Sequence, residues 1–201
     1  MGYKLKTAPA SEPVTLAEAK LHLKIDSDTS DDDLINNLIT AAREQAEKFT
    51  GRALINQTWE LKMDAFPTDD DDPDSAIVLQ MPPLSSVSSI YYLHAETGVN
   101  TQLSAANVYD LDTYQEPGRI ILRYGQTWPS VYSVPNAIVV TFIAGYGSTA
   151  SSVPSSIKAA ILLIIGHLYE NREDVLTNRT PYSLPKGAND LLAPYCISKF
   201  V

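Results

Sequence analysis

The spacing of apolar residues changes twice along the chain. Up to Gly51, and again from Pro154, apolar side chains recur every three or four residues, which is typical of helices with one buried face. Between these points apolar and polar residues tend to alternate, which is typical of strands that bury one face. The pattern therefore predicts an α+β protein in which helices lie before and after a β region.

Two helices are predicted in the first part of the chain. Thr15 followed by Glu18 has the spacing of a capping box, so a short helix is expected over residues 16–24. A longer amphipathic helix is expected over residues 31–50, with acidic residues in its first turn, where negative charge meets the positive end of the helix dipole. Gly51 is the kind of residue with which helices commonly end.

A third helix is predicted over residues 154–173, and it is apolar on two faces. The second face carries Leu162, Leu163 and Tyr169, so it needs cover from another part of this chain or from another copy of it. The pattern alone leaves both alternatives open. The uninterrupted apolar run, residues 159–165, is far shorter than the roughly 20 residues that a membrane span needs. The first face is formed by residues at helical spacing: Ile157, Ala160, Ile161, Ile164, Ile165 and Leu168.

Six strands are predicted in the middle of the chain, separated by turn residues such as those at 96–98 and 117–118. Short strands at this spacing indicate an antiparallel sandwich or barrel. The expected strands span residues 58–63, 76–81, 87–94, 108–113, 119–124 and 137–143.

The simplest organisation is one helical domain interrupted by an inserted β domain. Residues 1–52 and 149–193 would form a helical bundle domain, and residues 53–148 would form an antiparallel β-sandwich or barrel-like domain. Within the first segment, residues 1–13 are expected to form an extended arm. Residues 194–201 (PYCISKFV) are an apolar tail for which the sequence offers no packing partner.

The chain carries a formal net charge of −9, and most of the acidic surplus lies in the β region. Residues 53–148 hold eleven acidic and three basic residues. This excess disfavours binding to a phosphate backbone, which requires clustered Lys and Arg. A single cysteine, Cys196, excludes an internal disulfide, and the first ten residues lack the apolar segment of a secretory signal, so folding in a reducing cytoplasm is expected.

No motif typical of catalysis or metal binding is found in the sequence. The three histidines, His22, His94 and His167, have no partner at a metal-ligand spacing, and the nucleophile-elbow and phosphate-loop motifs are absent. Cys196 lies in the apolar tail and is interpreted as a packing residue. The sequence therefore predicts a structural or binding protein that is not an enzyme and uses no cofactor or metal.

One alternative function is a ligand-binding module. A β-sandwich on a helical stalk could bind carbohydrate through tyrosines such as Tyr91 and Tyr92, or Ca²⁺ through the acidic run Asp69–Asp74. Tyrosine also fills sandwich cores, and acidic residues at a loop tip also keep sheet edges from pairing. The alternative predicts a rise in melting temperature when the ligand is added.

Several stretches resemble one protein family in their order and spacing. Together they are similar to the head–tail connector, or adaptor, proteins of long-tailed bacteriophages and gene-transfer particles. The resemblance covers nearly the whole chain, and none of its motifs is catalytic. The stretches are PVTLAEAKLHLKID (13–26), DDDLINNLITAAREQAEKFTGRALINQTWEL (31–61), MPPLSSVSSIYYL (81–93), TFIAGYG (141–147), VPSSIKAAILLIIGHLYENRE (153–173) and LLAPY (191–195).

The resemblance implies a structural virion protein at the head–tail interface. Such proteins form a ring of identical subunits, commonly dodecameric, beneath the portal protein. The ring extends the DNA channel and links the capsid vertex to the stopper or tail-completion protein. DNA would pass through without sequence-specific binding, no membrane would be involved, and the protein would be made in the host cytoplasm.

Two sets of contact residues are expected on this basis. Ring closure would place Phe49, Leu162, Leu163 and Tyr169 at the interface between subunits, since these apolar residues lie on the predicted long helices. The family's pattern implies that the C-terminal segment reaches the portal. The expected portal contacts are Leu191, Leu192, Pro194, Tyr195, Ile197, Phe200 and Val201.

Overall fold

The computed structural model describes residues 1–25, 27–67, 75–171 and 185–197, and the chain divides into two compact units. The β unit comprises Met1–Pro9 and Asn56–Tyr146, and the helical unit comprises Ala10–Ile55 and Gly147–Val201. The chain therefore passes from one unit to the other three times, after Pro9, Ile55 and Tyr146. The α+β fold class predicted from the hydrophobic pattern is confirmed.

The described part of the β unit contains eight strands in two sheets. Every pair of neighbouring strands is antiparallel. The strands are β1 (Gly2–Thr7), β2 (Gln57–Met63), β3 (Ile77–Leu79), β4 (Leu84–Leu93), β5 (Asn100–Gln102), β6 (Tyr109–Asp112), β7 (Gly118–Leu122) and β8 (Ile138–Ala144). The five-stranded sheet has the order β1-β2-β8-β4-β5, and the three-stranded sheet has the order β3-β7-β6.

The inner faces of the two sheets form the core of the β unit. Along β8 buried side chains alternate with half-buried ones, and the buried Phe142 meets the ring of Tyr3 edge-on at a centroid distance of 6.4 Å. Gly118 of β7 lies so close to β4 that a Cβ there would be 2.6 Å from the Cβ of Leu84. Glycine at this position therefore allows the two sheets to pack closely, as in a sandwich.

β1 lies at the edge of the five-stranded sheet, where Gly2 is opposite Lys62 and Thr7 is opposite Thr58 of β2. The prediction that residues 1–13 form an arm of the helical domain is therefore wrong for Met1–Pro9, which belong to the β unit. The alternation of apolar and polar residues in β1 is short, and its partner strand begins fifty residues after β1 ends. A pattern of this length does not identify a strand without its partner.

The described part of the helical unit contains α1 (Leu16–Leu23), α2 (Asp32–Thr50), α3 (Ser155–Glu170) and α4 (Lys186–Leu192), with 3-10 turns at Ala150–Ser152 and Ala193–Tyr195. The predicted capping box is confirmed. Thr15 Oγ1 accepts a hydrogen bond from the N–H of Glu18 at 3.2 Å, and Glu18 Oε2 accepts one from the N–H of Thr15 at 2.8 Å. Gly51 ends α2, as predicted, with a φ of 73° that glycine adopts without strain.

α3 packs against the other three helices and forms the centre of the helical unit. Its inner face is apolar as predicted, although Leu168 at its end is half-buried. A salt bridge of 2.8 Å between Lys158 and Glu18 also joins α3 to α1. The buried residues of this face are Ile157, Ala160, Ile161, Ile164 and Ile165.

The Glu18 carboxylate is expected to make the helical unit sensitive to acid. Its bond with Lys158, and then the Thr15 N–H, lower the pKa of Glu18 to about 2. An acid whose pKa is lower in the folded than in the unfolded protein stabilises the fold when the pH is above its unfolded pKa. This contribution to stability is lost as the pH falls from about 4.5, the unfolded pKa of Glu18, to about 2, its folded pKa. We expect Glu18→Gln to lower the free energy of unfolding by about 1 kcal/mol at pH 7, a modest value because the carboxyl is partly exposed.

Urea denaturation at pH 7 and pH 3 measures this effect. The difference between wild type and Glu18→Gln is expected to shrink at pH 3, whereas Glu44→Gln, which changes a mostly exposed carboxyl on α2, changes stability little at either pH. A Glu18→Gln deficit that is equal at both pH values would contradict the assignment.

Candidate assembly surface

The second apolar face of α3 is partly covered by α4 of the same chain. Leu163 lies beside α4, because its Cδ1 is 3.6 Å from the place where a Cβ of Gly187 would be. Leu163 nevertheless remains 37% exposed, and Leu162 is half-buried. The subunit thus covers part of this face itself and leaves an apolar remainder at its surface.

Tyr169 holds two helices of the subunit together. Its hydroxyl donates a hydrogen bond to Asp31 Oδ2 at 2.6 Å, which joins the C-terminal end of α3 to the N-terminal end of α2. The ring is half-buried. Tyr169 was expected at the interface between subunits. Its hydroxyl instead bonds to another helix of the same subunit.

Phe49 lies in the last turn of α2 and is 39% exposed. The backbone around it is fixed by the C-terminal segment, since the Cys196 thiol donates to the Phe49 carbonyl at 3.5 Å. Phe49 and Leu163 are therefore the two members of the expected interface that expose the most apolar surface. They lie on different helices of the same unit.

The C-terminal segment folds back on the end of α2. The N–H of Ile197 donates to the Thr50 carbonyl at 3.0 Å, and Arg52 Nε donates to the Tyr195 carbonyl at 2.6 Å. Ile197 also lies against Gly51, where a Cβ would be 3.8 Å from its side chain. The prediction of a tail without a packing partner is therefore wrong as far as Ile197, because backbone hydrogen bonds anchor this segment.

The residues expected to contact the portal differ in accessibility. Leu192 is fully buried and belongs to the core of the helical unit, which corrects its assignment to a free tail. Pro194 is exposed, whereas Leu191, Tyr195 and Ile197 are half-buried. Phe200 and Val201 lie outside the described residues.

A buried ion pair that the sequence analysis did not identify supports the middle of α2. Arg43 Nη1 is 2.6 Å from Glu47 Oε2, and both side chains are more than nine-tenths buried. Arg43 Nε also donates to Glu12 Oε2 at 2.8 Å, and Glu47 Oε1 accepts from the N–H of Leu54 at 2.9 Å. Burial raises the pKa of Glu47, while the Leu54 N–H and the Arg43 guanidinium oppose that shift.

This ion pair fixes chain segments on both sides of α2. Glu12 precedes α1, and Leu54 follows α2, so the guanidinium and the carboxylate connect three parts of the sequence. The i to i+4 spacing of Arg43 and Glu47 is the only signal in the sequence, and it is equally common on solvent-exposed helix faces. The C-terminal half of α2, which carries Phe49, is thus bonded to the segments before α1 and after α2.

The described residues contain no cluster of side chains suited to a metal ion, since no group of three or more His, Cys, Asp or Glu side chains among them is placed to hold one. The acidic run Asp69–Asp74, which carried the calcium alternative, lies outside the described ranges. None of the helices in the described ranges has the length and apolar character needed to cross a membrane.

The N-terminal part of the chain matches a family of known proteins. Residues 13–81 match the model of the phage gp6-like head-tail connector protein family. This range covers α1, α2, β2 and β3. No curated protein sequence matches the chain.

The whole chain is similar in fold to three solved particle structures, each 22% identical in sequence. These are the neck of an empty gene transfer agent particle computed with C6 symmetry (TM-score 0.79), the virion of a native gene transfer agent particle (0.78) and the neck of a native particle computed with C12 symmetry (0.71). Each comparison covers 100% of this chain and 98% of the other. The family match confirms the resemblance to head–tail connector proteins over residues 13–81, and the fold of the whole chain is shared with chains of these particles.

Proposed function

We propose that the protein is a head–tail connector that forms a closed ring of identical subunits beneath the portal of a virion. The ring extends the DNA channel and joins the capsid vertex to a stopper or tail-completion protein. The observation that carries this proposal is the connector-family match at residues 13–81 together with a fold shared over the whole chain with a neck component. A ring of twelve is favoured because one of the similar necks was computed with C12 symmetry.

The ring requires a head-to-tail contact between subunits. A closed ring of identical chains joins two different surface patches, one from each neighbour. Leu163 and Phe49 expose apolar area on the two long helices of the helical unit, whereas the more exposed Leu21 lies on the short helix α1. In the ring, these two side chains, with Leu162, pack against the neighbouring subunit.

The C-terminal residues reach the portal from a fixed starting point. The C-terminal segment is anchored as far as Ile197, whose N–H is hydrogen-bonded to the end of α2. Phe200 and Val201 supply apolar side chains for a pocket on the portal, with support from the exposed Pro194. The net charge of −9 suits a conduit that DNA crosses without being bound.

The portal contact is tested with Phe200→Ser/Val201→Ser. This variant is expected to weaken binding to purified portal at least tenfold, because the two apolar anchors are lost. Its melting temperature is expected to equal that of the wild type, since the bonds at Thr50 and Arg52 remain. Lys199→Ser is the control on the same segment and is expected to keep binding.

Sedimentation with purified portal measures the binding, and electron microscopy of the mixture shows whether a ring is present. Unchanged binding by Phe200→Ser/Val201→Ser would rule out this segment as the portal contact. Failure of the wild-type protein to form a ring, both alone and with portal, would reject the connector ring itself.

A further inference from the structure

Two of the sheet edges in the β unit carry opposite charges. Among the described residues four strands lie at sheet edges: β1, β5, β3 and β6. β1 carries Lys4 and Lys6, β6 carries Asp110 and Asp112, and the short strands β3 and β5 have no charged side chain. An edge strand presents unpaired backbone groups and can add a strand from another chain.

The basic and acidic edges lie on different sides of the β unit. The Tyr3 hydroxyl of β1 donates to the Val78 carbonyl of β3 at 2.7 Å, so β1 lies next to β3. β6 is at the opposite margin of the three-stranded sheet, two strands or about 10 Å away from β3. Edges that face different sides suit a contact between successive copies in a ring, where one copy's β1 meets the next copy's β6.

The two edge strands match residue by residue. β1 contains Tyr-Lys-Leu-Lys at positions 3–6, and β6 contains Tyr-Asp-Leu-Asp at positions 109–112. Leu5 is 40% exposed and Leu111 is 39% exposed, so each edge has one uncovered leucine. Antiparallel pairing with these leucines opposite each other places Lys4 opposite Asp112 and brings Lys6, which lies at the register shift of β1, near Asp110.

One charged group on each edge can take a further partner, whereas Asp112 is already bonded to Arg119 and to the N–H groups of Tyr114 and Gln115. Both contacts of Arg123 with Asp110, at 2.7 and 2.9 Å, go to Oδ1, which leaves Oδ2 of this half-exposed carboxylate for another donor. Lys6 bonds to Glu60 at 2.7 Å and is half-exposed. Pairing of the edges therefore gives a row in which acidic and basic side chains alternate across four strands, which is favourable across a sheet: Glu60, Lys4, Asp112 and Arg119.

The lysines make the β1 edge selective. Lysine on an edge strand, and a register shift such as the one between Leu5 and Thr7, discourage pairing with another strand. Two β1 edges would repel each other, whereas an acidic edge neutralises the lysines. Like charges thus exclude the wrong pairing and opposite charges favour one partner.

We infer that β1 of one copy of this chain adds to β6 of the next copy, through Lys4 and Lys6 against Asp110 and Asp112. This contact rests on the ring proposed above and supplies the part of the subunit interface formed by the β unit. It joins the five-stranded sheet of one subunit to the three-stranded sheet of its neighbour.

A charge exchange between two variants tests the pairing. Lys4→Glu/Lys6→Glu and Asp110→Lys/Asp112→Lys are each expected to weaken self-association at least tenfold, because like charges then face each other. A one-to-one mixture is expected to assemble again, since each variant retains one normal edge and the altered edges complement each other. Mass photometry measures ring formation by the variants and by wild type.

Cysteine cross-linking provides a second measurement that does not depend on the charge variants folding. In a Cys196→Ser background, Leu5→Cys/Leu111→Cys is expected to form a ladder of covalent oligomers on mild oxidation. Leu5→Cys/Leu21→Cys is the control, because Leu21 is highly exposed but lies on α1 of the helical unit. The control is expected to remain mostly monomeric on a denaturing gel.

The outcomes separate this inference from the proposed function. If wild type forms a ring but the Leu5→Cys/Leu111→Cys protein gives no more cross-linking than the control, the edge pairing is wrong and the ring stands. If Lys4→Glu/Lys6→Glu forms the ring as well as wild type does, the edge pairing is likewise wrong and the ring stands. If wild type forms no ring, alone or with portal, both proposals fail.

Discussion

Arg43→Met is expected to lower the free energy of unfolding by about 3 kcal/mol at pH 7, which is the typical cost of removing one partner of a buried ion pair. Methionine fills much of the same space, so the loss comes mainly from the guanidinium's contacts with the buried Glu47 carboxylate. Glu12 loses a hydrogen-bond donor in the same variant. Chemical denaturation monitored by circular dichroism, which follows the helices, measures the change.

The deficit of Arg43→Met is expected to depend on pH. Burial raises the pKa of Glu47, and removal of the guanidinium raises it further. Because an acid with a raised pKa destabilises the fold as the pH rises through that pKa, the deficit is largest above it and shrinks as the pH falls toward 4.5. Lys48→Met, an exposed change on the same helix, is expected to alter stability by less than about 0.5 kcal/mol. A similar small effect for Arg43→Met would show that the pair does not stabilise α2.

Leu163→Glu is expected to abolish ring formation and leave a folded monomer. A carboxylate introduced at a closely packed apolar contact between subunits must lose its water, and such a change typically costs 2 kcal/mol or more of association energy. Leu163 is exposed enough in the single subunit for the glutamate to remain hydrated there, so the melting temperature is expected to fall only slightly. Mass photometry and thermal unfolding of the same preparation measure the two effects.

Leu21→Glu is the matched control for Leu163→Glu. It makes the same substitution on α1 at a position that is 81% exposed. It is expected to leave both assembly and stability unchanged. Loss of the ring in both variants, or in neither, would remove α3 from the proposed subunit interface.

Signals contained within a few residues predicted the structure well. Thr15 and Glu18 lie three residues apart, and their hydrogen bonds form within one turn of helix. Gly51 ends α2 because its own backbone adopts a positive φ. The long inner face of α3 repeats at helical spacing over three turns, so it also needs no information from the rest of the chain.

Features that depend on distant partners were missed. β5 consists of Asn-Thr-Gln, which has no apolar pattern. It forms a strand through its backbone pairing with β4, a distant part of the sheet that local spacing does not show. The segment up to Ile197 is fixed by backbone groups of Thr50 and by Arg52, which leave no trace in hydrophobic spacing. The exposed edges of β1 and β6 likewise become meaningful only when the sheet order is known.

The three passages of the chain between the two units have a consequence for how the protein withstands cleavage. Neither unit is a continuous stretch of sequence. Residues 10–55 of the helical unit lie between the two segments of the β unit, and residues 56–146 of the β unit lie between the two segments of the helical unit. A protease that cuts after Pro9, Ile55 or Tyr146 breaks one covalent link and leaves two. A single nick at any of these junctions therefore does not release one unit from the other, and the fragments separate only after further cuts or unfolding.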